Sequence, residues 1–170
     1  FEADPTQGKA PLEVNFTDKS TPAGSIVSWQ WDFGDGSTST EQNPTHQYND
    51  PGWYTVKLTV SDGTDSDTCV KKMYILVANN IWYVDGEVTS SGDGTSWEEA
   101  FKTIEEGINA AGDYDLVLVA DATYNETGSD FGGKKIYLKG VDRHTPGACP
   151  VIDCQQAGRA FYFGSGETKD

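Results

Sequence analysis

Trp31-Asp32-Phe33-Gly34-Asp35-Gly36 is the stretch on which the reading of this chain turns. Trp29, Trp31 and Phe33 alternate with Gln30 and Asp32, so one face of an extended strand is aromatic and the other polar. Asp35-Gly36 then ends the run in a tight turn, because such turns need a positive φ that glycine adopts without a Cβ penalty. A strand closed by a hairpin turn is predicted, with Trp31 and Phe33 in a core.

Working outward, Ala10-Pro11-Leu12-Glu13-Val14-Asn15-Phe16 has the same period of two, and so does the run from Pro51-Gly52-Trp53 to Asp62. Between them lies Asn43-Pro44-Thr45-His46-Gln47-Tyr48. The hexapeptide and these three stretches, in this order over residues 1 to 78, resemble the PKD (polycystic kidney disease) domain. The resemblance implies a small immunoglobulin-like β-sandwich of an extracellular protein. It is specific for a fold and names no ligand.

Charge narrows the partners. The 170 residues carry 12 Lys+Arg against 27 Asp+Glu, a formal net charge of −15. Divided after residue 78, the halves hold 11 acids against 5 bases (−6) and 16 against 7 (−9). Neither half offers a basic stripe, which excludes nucleic acid as a partner and disfavours an anionic membrane surface. No apolar run approaches the ~20 residues of a membrane helix, so no membrane insertion is expected. Extracellular proteins or polysaccharides are the expected partners.

Past residue 78 the spacing changes. Ile81-Trp82-Tyr83-Val84 predicts a strand, and Gly92-Asp93-Gly94 a loop. A helix is predicted from an N-cap at Thr95 with Glu98 at N3, or at Ser96 with Glu99, and Gly112 stands where a C-terminal cap belongs. Its apolar face would carry Trp97, Phe101, Ile104 and Ile108. Short apolar runs follow at Leu116 to Ala120, Ile136 to Leu138, Val151-Ile152 and Phe161-Tyr162-Phe163. Their spacing of roughly 20–25 residues is that of one turn of a solenoid. Gly92 to Trp97, Asp115 to Tyr124 and Lys135 to Gly140 resemble the N-terminal end of right-handed parallel β-helix (pectin-lyase-like) proteins. The expected fold is therefore mainly β: a PKD-like β-sandwich over 1–78, then over 79–170 the helix-capped first coils of a parallel β-helix. With about two coils and no cover at the far end, the chain is expected to be a piece of a longer protein. That open end is a candidate surface for self-association.

Several residue types carry candidate chemistry. Asp85 and Asp93 beside the glycine-rich loop, and Asp32 and Asp35 at the hairpin turn, are the candidate calcium ligands, since Ca²⁺ takes loop carboxylates and carbonyls. For Asp32 and Asp35, turn and loop hydrogen bonding is the favoured reading over calcium. Trp29, Trp53 and Trp82 are the candidate rings for carbohydrate or partner contact, whereas Trp31 and Trp97 are expected in cores. Cys149 and Cys154 are spaced either to close a small disulfide loop or to remain free, and Cys69 is expected as a semi-buried thiol. Asn15 and Asn125 head N-glycosylation sequons. His46 is expected as a hydrogen-bonded structural residue and His144 as a solvated one, so no Ser-His-Asp machine is predicted. The expected function is a non-catalytic spacer or adhesion module of a secreted or cell-surface protein. Its rivals are the accessory end of a polysaccharide lyase or glycoside hydrolase and a self-assembling surface or fibre component.

Overall fold

In the computed structural model, which describes residues 1–22 and 24–162, the alternation at Leu12, Val14 and Phe16 becomes strand β3 (Leu12–Thr17), with those three side chains buried and Glu13, Asn15 and Thr17 exposed. The chain divides into two units, Phe1–Ala78 and Asn79–Asp170. In the first, β1 (Glu2–Asp4), β3 and β6 (Thr45–Tyr48) form an antiparallel sheet in the order β1-β3-β6. The opposing sheet runs β2-β8-β7-β4-β5, from β2 (Gln7–Lys9), β4 (Ser28–Asp32), β5 (Thr38–Ser39), β7 (Gly52–Ser61) and β8 (Ser66–Ala78).

Both sheets send alternate side chains into one core. Leu12, Val14, Phe16 and Tyr48 come from the smaller sheet; Trp31, Val56, Leu58, Ile75 and Val77 come from the larger. The result is a β-sandwich, in which each sheet supplies the apolar cover that the other's inner face requires. Trp31 packs edge-on against Phe1 at 5.1 Å, and its ring centroid lies 5.4 Å from Phe16. Its indole N–H donates to the Glu41 carbonyl at 2.9 Å, so a buried donor is not orphaned. The hexapeptide turn forms as expected. β4 and β5 pair antiparallel, with Trp31 opposite Ser39, and Gly34 and Gly36 have φ of 84° and 93°. At Gly34 a Cβ would also run into the Thr55 carbonyl, so the position requires glycine twice over.

Among the described residues of the second unit every strand pairing is parallel. β9 (Ile81–Val84), β10 (Leu116–Ala120) and β13 (Tyr137–Val141) form a sheet in the order β13-β10-β9, with Val84 opposite Val119 and Val119 opposite Gly140. β11 (Thr123–Tyr124) pairs with β14 (Val151–Ile152), and β12 (Ser129–Asp130) with β15 (Phe161–Tyr162). Each of β10, β11 and β12 thus pairs with the element three strands later. Val84, Val117, Val119, Tyr124 and Phe131 bury one apolar core between these sheets. Phe163, in the last predicted apolar run, lies outside the described residues.

The helix is shorter and later than the heptad-like spacing predicts. α1 spans Ile104–Ala110, capped by Thr103. Thr103 Oγ1 accepts from the Glu106 N–H, and the Glu106 carboxylate accepts from the Thr103 N–H, a reciprocal capping box. Residues 95 to 103 form no helix because their backbone groups are engaged elsewhere. Phe101 N–H donates to the Tyr83 carbonyl and its own carbonyl accepts from Asp85 N–H, which holds Phe101 beside β9. Gly94 sits at φ 75°, and a Cβ there would collide with the Phe101 ring. Gly112 is not the cap either: Ala111 ends the helix, and Lys134 Nζ donates to the Ile108 and Asn109 carbonyls of its last turn. Ile104 and Ile108 do face the core, as their spacing requires. Thr103→Ala is expected to cost about 1 kcal/mol, read as a lower denaturant midpoint for the second unit; an unchanged midpoint would show that the cap is dispensable.

Candidate functional site

The described residues bring together one cluster of charged side chains around a buried carboxylate. Asp85, immediately after β9, is 3% exposed. Its Oδ1 accepts from the Glu87 N–H at 3.0 Å and lies 3.0 Å from His144 Nε2. Its Oδ2 accepts from Arg143 Nε at 3.2 Å. Burial by itself would raise the Asp85 pKa, but the Glu87 N–H, the His144 ring and Arg143 outweigh it and hold the carboxyl below its ordinary value. The Arg143 guanidinium lies 4.6 Å over the Trp97 ring, and Trp97 meets Tyr83 edge-on at 4.8 Å. Beneath, Tyr124 Oη accepts from the Gly86 N–H and donates to the Ala120 carbonyl; burial pushes its pKa up to about 12. Asp121, after β10, accepts from the His144 and Thr145 N–H groups at 2.7 and 2.8 Å, and those bonds hold its pKa down.

This geometry bears on three expectations. His144 is exposed in its loop, as expected, and its ring also partners Asp85. Trp97 is half-buried beneath Arg143 rather than an interior helix residue. Asp85, a candidate calcium ligand, has both oxygens accepting from N–H donors, and a cation there would face Arg143. Asp93 does not join it, since its Oδ1 accepts from both the Thr95 N–H and hydroxyl. The other calcium candidates resolve in the same way. Asp32 accepts from Gly34 N–H and pairs with Lys57, while Asp35 accepts from Ser37 N–H and lies 2.7 Å from His46 Nε2. They are turn carboxylates, one beside Lys57 and the other beside the His46 ring. Among the described residues no group of three or more His, Cys, Asp or Glu side chains is arranged to hold a metal.

The three tryptophans separate. Trp82 donates from Nε1 to Asp115 at 2.8 Å and stacks 6.0 Å from Phe101 against the core, so it is no open platform. Trp29 donates to Asp18 at 2.8 Å and packs half-buried on the first unit's core. Trp53, at 39%, is the exposed ring of the three. On β7 it stands opposite Leu76, and its side points away from the buried Val56 and Leu58. A surface hollow of about 500 Å³ lies elsewhere on the first unit, between Phe1, Lys19, Ile26, Val60 and Asp67; Cys69 lines it, and none of the candidate tryptophans or calcium ligands does.

Cys149 and Cys154 are free, and so is Cys69, which is exposed rather than semi-buried. Between Cys149 and Cys154 the chain runs through β14, Val151–Ile152, and the two thiols are not joined. Asn15 is exposed, but its Oδ1 accepts from the Thr45 hydroxyl on a strand paired on both sides. Asn125 is exposed in the segment between β11 and β12. His46 stacks on Phe33, with centroids 4.1 Å apart and planes 3° from parallel, which bears out a structural histidine. Sequence reasoning did not single out Asp121 or Asp115, and it grouped Arg143 with Lys134, Lys135 and Lys139 as a basic cluster rather than with Asp85. One signal was present: Val84-Asp85, Ala120-Asp121 and Val141-Asp142 each end an apolar strand on an aspartate.

Comparison with known proteins bears on the first unit. Residues 2–77 match the model of the PKD domain family. Collagenase ColA of Bacillus cereus is 44% identical over 66 residues, covering 38% of this chain and 7% of that protein. Microbial collagenase of Vibrio alginolyticus is 49% identical over 59 residues, covering 34% of this chain and 7% of that protein. The chain thus spans less than a tenth of the length of these curated relatives. Among solved structures, the PKD1 domain of the Vibrio cholerae metalloprotease PrtV covers 38% of this chain and 83% of its own at 45% identity, with a TM-score of 0.35. By sequence and by the sandwich its strands build, residues 2–77 of this chain are a PKD domain.

Proposed function

We propose that this chain is a non-catalytic accessory segment of an extracellular protein, with the PKD unit making contact with an extracellular protein or carbohydrate. The carrying observation is that the likeness to the two collagenases is confined to 7% of each, so what is shared is one small module. Both histidines support the reading: His46 is stacked and hydrogen-bonded at a turn, and His144 is bound into Asp85. Neither is paired with a nucleophile in the manner of acyl-transfer sites. Trp53 is the contact residue this reading favours, because an exposed ring on a flat sheet face presents apolar area with little side-chain entropy to lose.

For the second unit the proposal is the capped beginning of a right-handed parallel β-helix. Its support is the parallel pairing of β10, β11 and β12 with β13, β14 and β15, with the apolar face of α1 on the same core. A parallel β-helix is also a scaffold of polysaccharide-acting enzymes, which keeps the accessory end of such an enzyme as the second reading.

Co-sedimentation of the chain with fibrillar collagen and with insoluble polysaccharides tests the contact. Retention on one of them, without release of fragments, is expected, and Trp53→Ala should weaken it by about tenfold at an unchanged melting midpoint. Turnover of any of these polymers by the chain would overturn the non-catalytic reading. Retention that survives Trp53→Ala would overturn the assignment of the contact.

A further inference from the structure

Parallel pairing brings the ends of β9, β10 and β13 to one edge of their sheet, and each strand is followed by an aspartate: Asp85, Asp121 and Asp142. Carboxylates gathered in this way repel one another unless cations stand between them. The loop after β13 supplies those cations. His144 reaches Asp85 with its ring at 3.0 Å while its backbone N–H donates to Asp121 at 2.7 Å. Arg143 reaches the other oxygen of Asp85 at 3.2 Å, and Thr145 N–H the other oxygen of Asp121 at 2.8 Å. Asp142 closes the loop on itself by accepting from Gly147 N–H at 2.9 Å. The loop is therefore fastened to the two preceding strand ends through two carboxylates. Both are buried, at 3% and 7% exposure, whereas the His144 side chain keeps 30% of its surface open to solvent. Protons reach the latch without the loop having to open.

We propose that His144 is a proton-governed latch that fastens the loop after β13 to the ends of β9 and β10, closed when the imidazole is charged and loosened when it is neutral. The charged groups facing the ring are Asp85 and Glu87 from the turn after β9, Asp121 from the turn after β10, and Arg143 beside it. The Asp85 hydrogen bond, with the charges of Asp85, Glu87 and Asp121, raises the His144 pKa above its ordinary 6.5. A histidine raised on folding contributes fully below its unfolded value and loses that contribution as pH rises through the folded one. Asp85 is depressed, so its contribution disappears only as pH falls through its lowered value, well to the acid side. The latch is closed between those limits and opens toward alkaline pH.

Two-dimensional NMR of the intact chain tests this without a variant. The His144 ring should titrate above a free histidine. Protection of the His144 and Thr145 amides, corrected for the intrinsic exchange rate, should fall by roughly threefold or more from about pH 6 to pH 9. His144→Gln keeps a donor for Asp85 but carries no titrating charge, so its protection should not change across that range. PH-independent protection in the parent chain, or the same decline in His144→Gln, would overturn the latch.

Discussion

Trp31→Ala should bring the first unit to the edge of unfolding. The indole is completely buried among Phe1, Phe16 and Phe33, and its N–H is the partner of the Glu41 carbonyl. Truncating a buried tryptophan costs about 3–5 kcal/mol, and the orphaned carbonyl adds to that. Whole domains are stable by only about 5–15 kcal/mol, and small ones lie toward the low end because they bury a smaller share of their surface. Hydrogen exchange followed by mass spectrometry on residues 1–78 separates this loss from the second unit. Exchange across the β3, β4 and β7 amides should approach that of an unfolded chain. A loss of less than about 1 kcal/mol would mean that the core closes over the gap and that Trp31 does not organise it.

The second large effect belongs to Asp115. This carboxylate is 3% exposed and accepts four bonds: from the Asn80 backbone and side-chain N–H groups at 2.9 and 3.1 Å, from Trp82 Nε1 at 2.8 Å, and from Gly112 N–H at 2.9 Å. It therefore ties the start of β9, the end of α1 and the start of β10 to one point. Asp115→Ala leaves four donors without their acceptor where little water reaches. Bonds to a charged group contribute about 1.5–3 kcal/mol each, so a loss of about 3 kcal/mol or more is expected even after partial relaxation. Asp115→Asn should lose less, since an amide oxygen still accepts two bonds while its NH₂ faces a donor. Denaturation of the second unit, followed by exchange in residues 79–162, distinguishes the two. Equal and small losses would show that Asp115 is not the clasp.

The sandwich was legible because its signals are local. Alternation at Leu12, Val14 and Phe16 and at Trp31 and Phe33 marks an inward face whatever the partner strand is, and Asp35-Gly36 specifies a turn by backbone sterics alone. The helix was misplaced for the opposite reason. Thr95 and Glu98 satisfy the sequence pattern of a cap as well as Thr103 and Glu106 do. What decides between them is a partner far away in sequence: β9 takes the backbone groups of Phe101, and a segment whose donors are spent on a strand cannot also spend them on a helical turn. The same holds for the tryptophans. Trp82 and Trp53 sit in similar local patterns, yet one faces Asp115 and the core and the other faces water.

By itself, then, the sequence determined which residues face inward in the first unit, where its hairpin turns, and that both halves are net acidic. Periodicity, turn sterics and net charge are properties of neighbouring residues or of sums over them, and they need no coordinates. Only the tertiary structure decided that Asp85, Asp121 and His144 meet, that Cys149 and Cys154 stay apart, and that the candidate calcium carboxylates already have partners. Those outcomes rest on hydrogen bonds and charge pairs between residues up to 59 positions apart, as from Asp85 to His144. A directional interaction of that kind leaves no period in the chain, because it depends on where two strands end in space and not on what lies beside them in sequence.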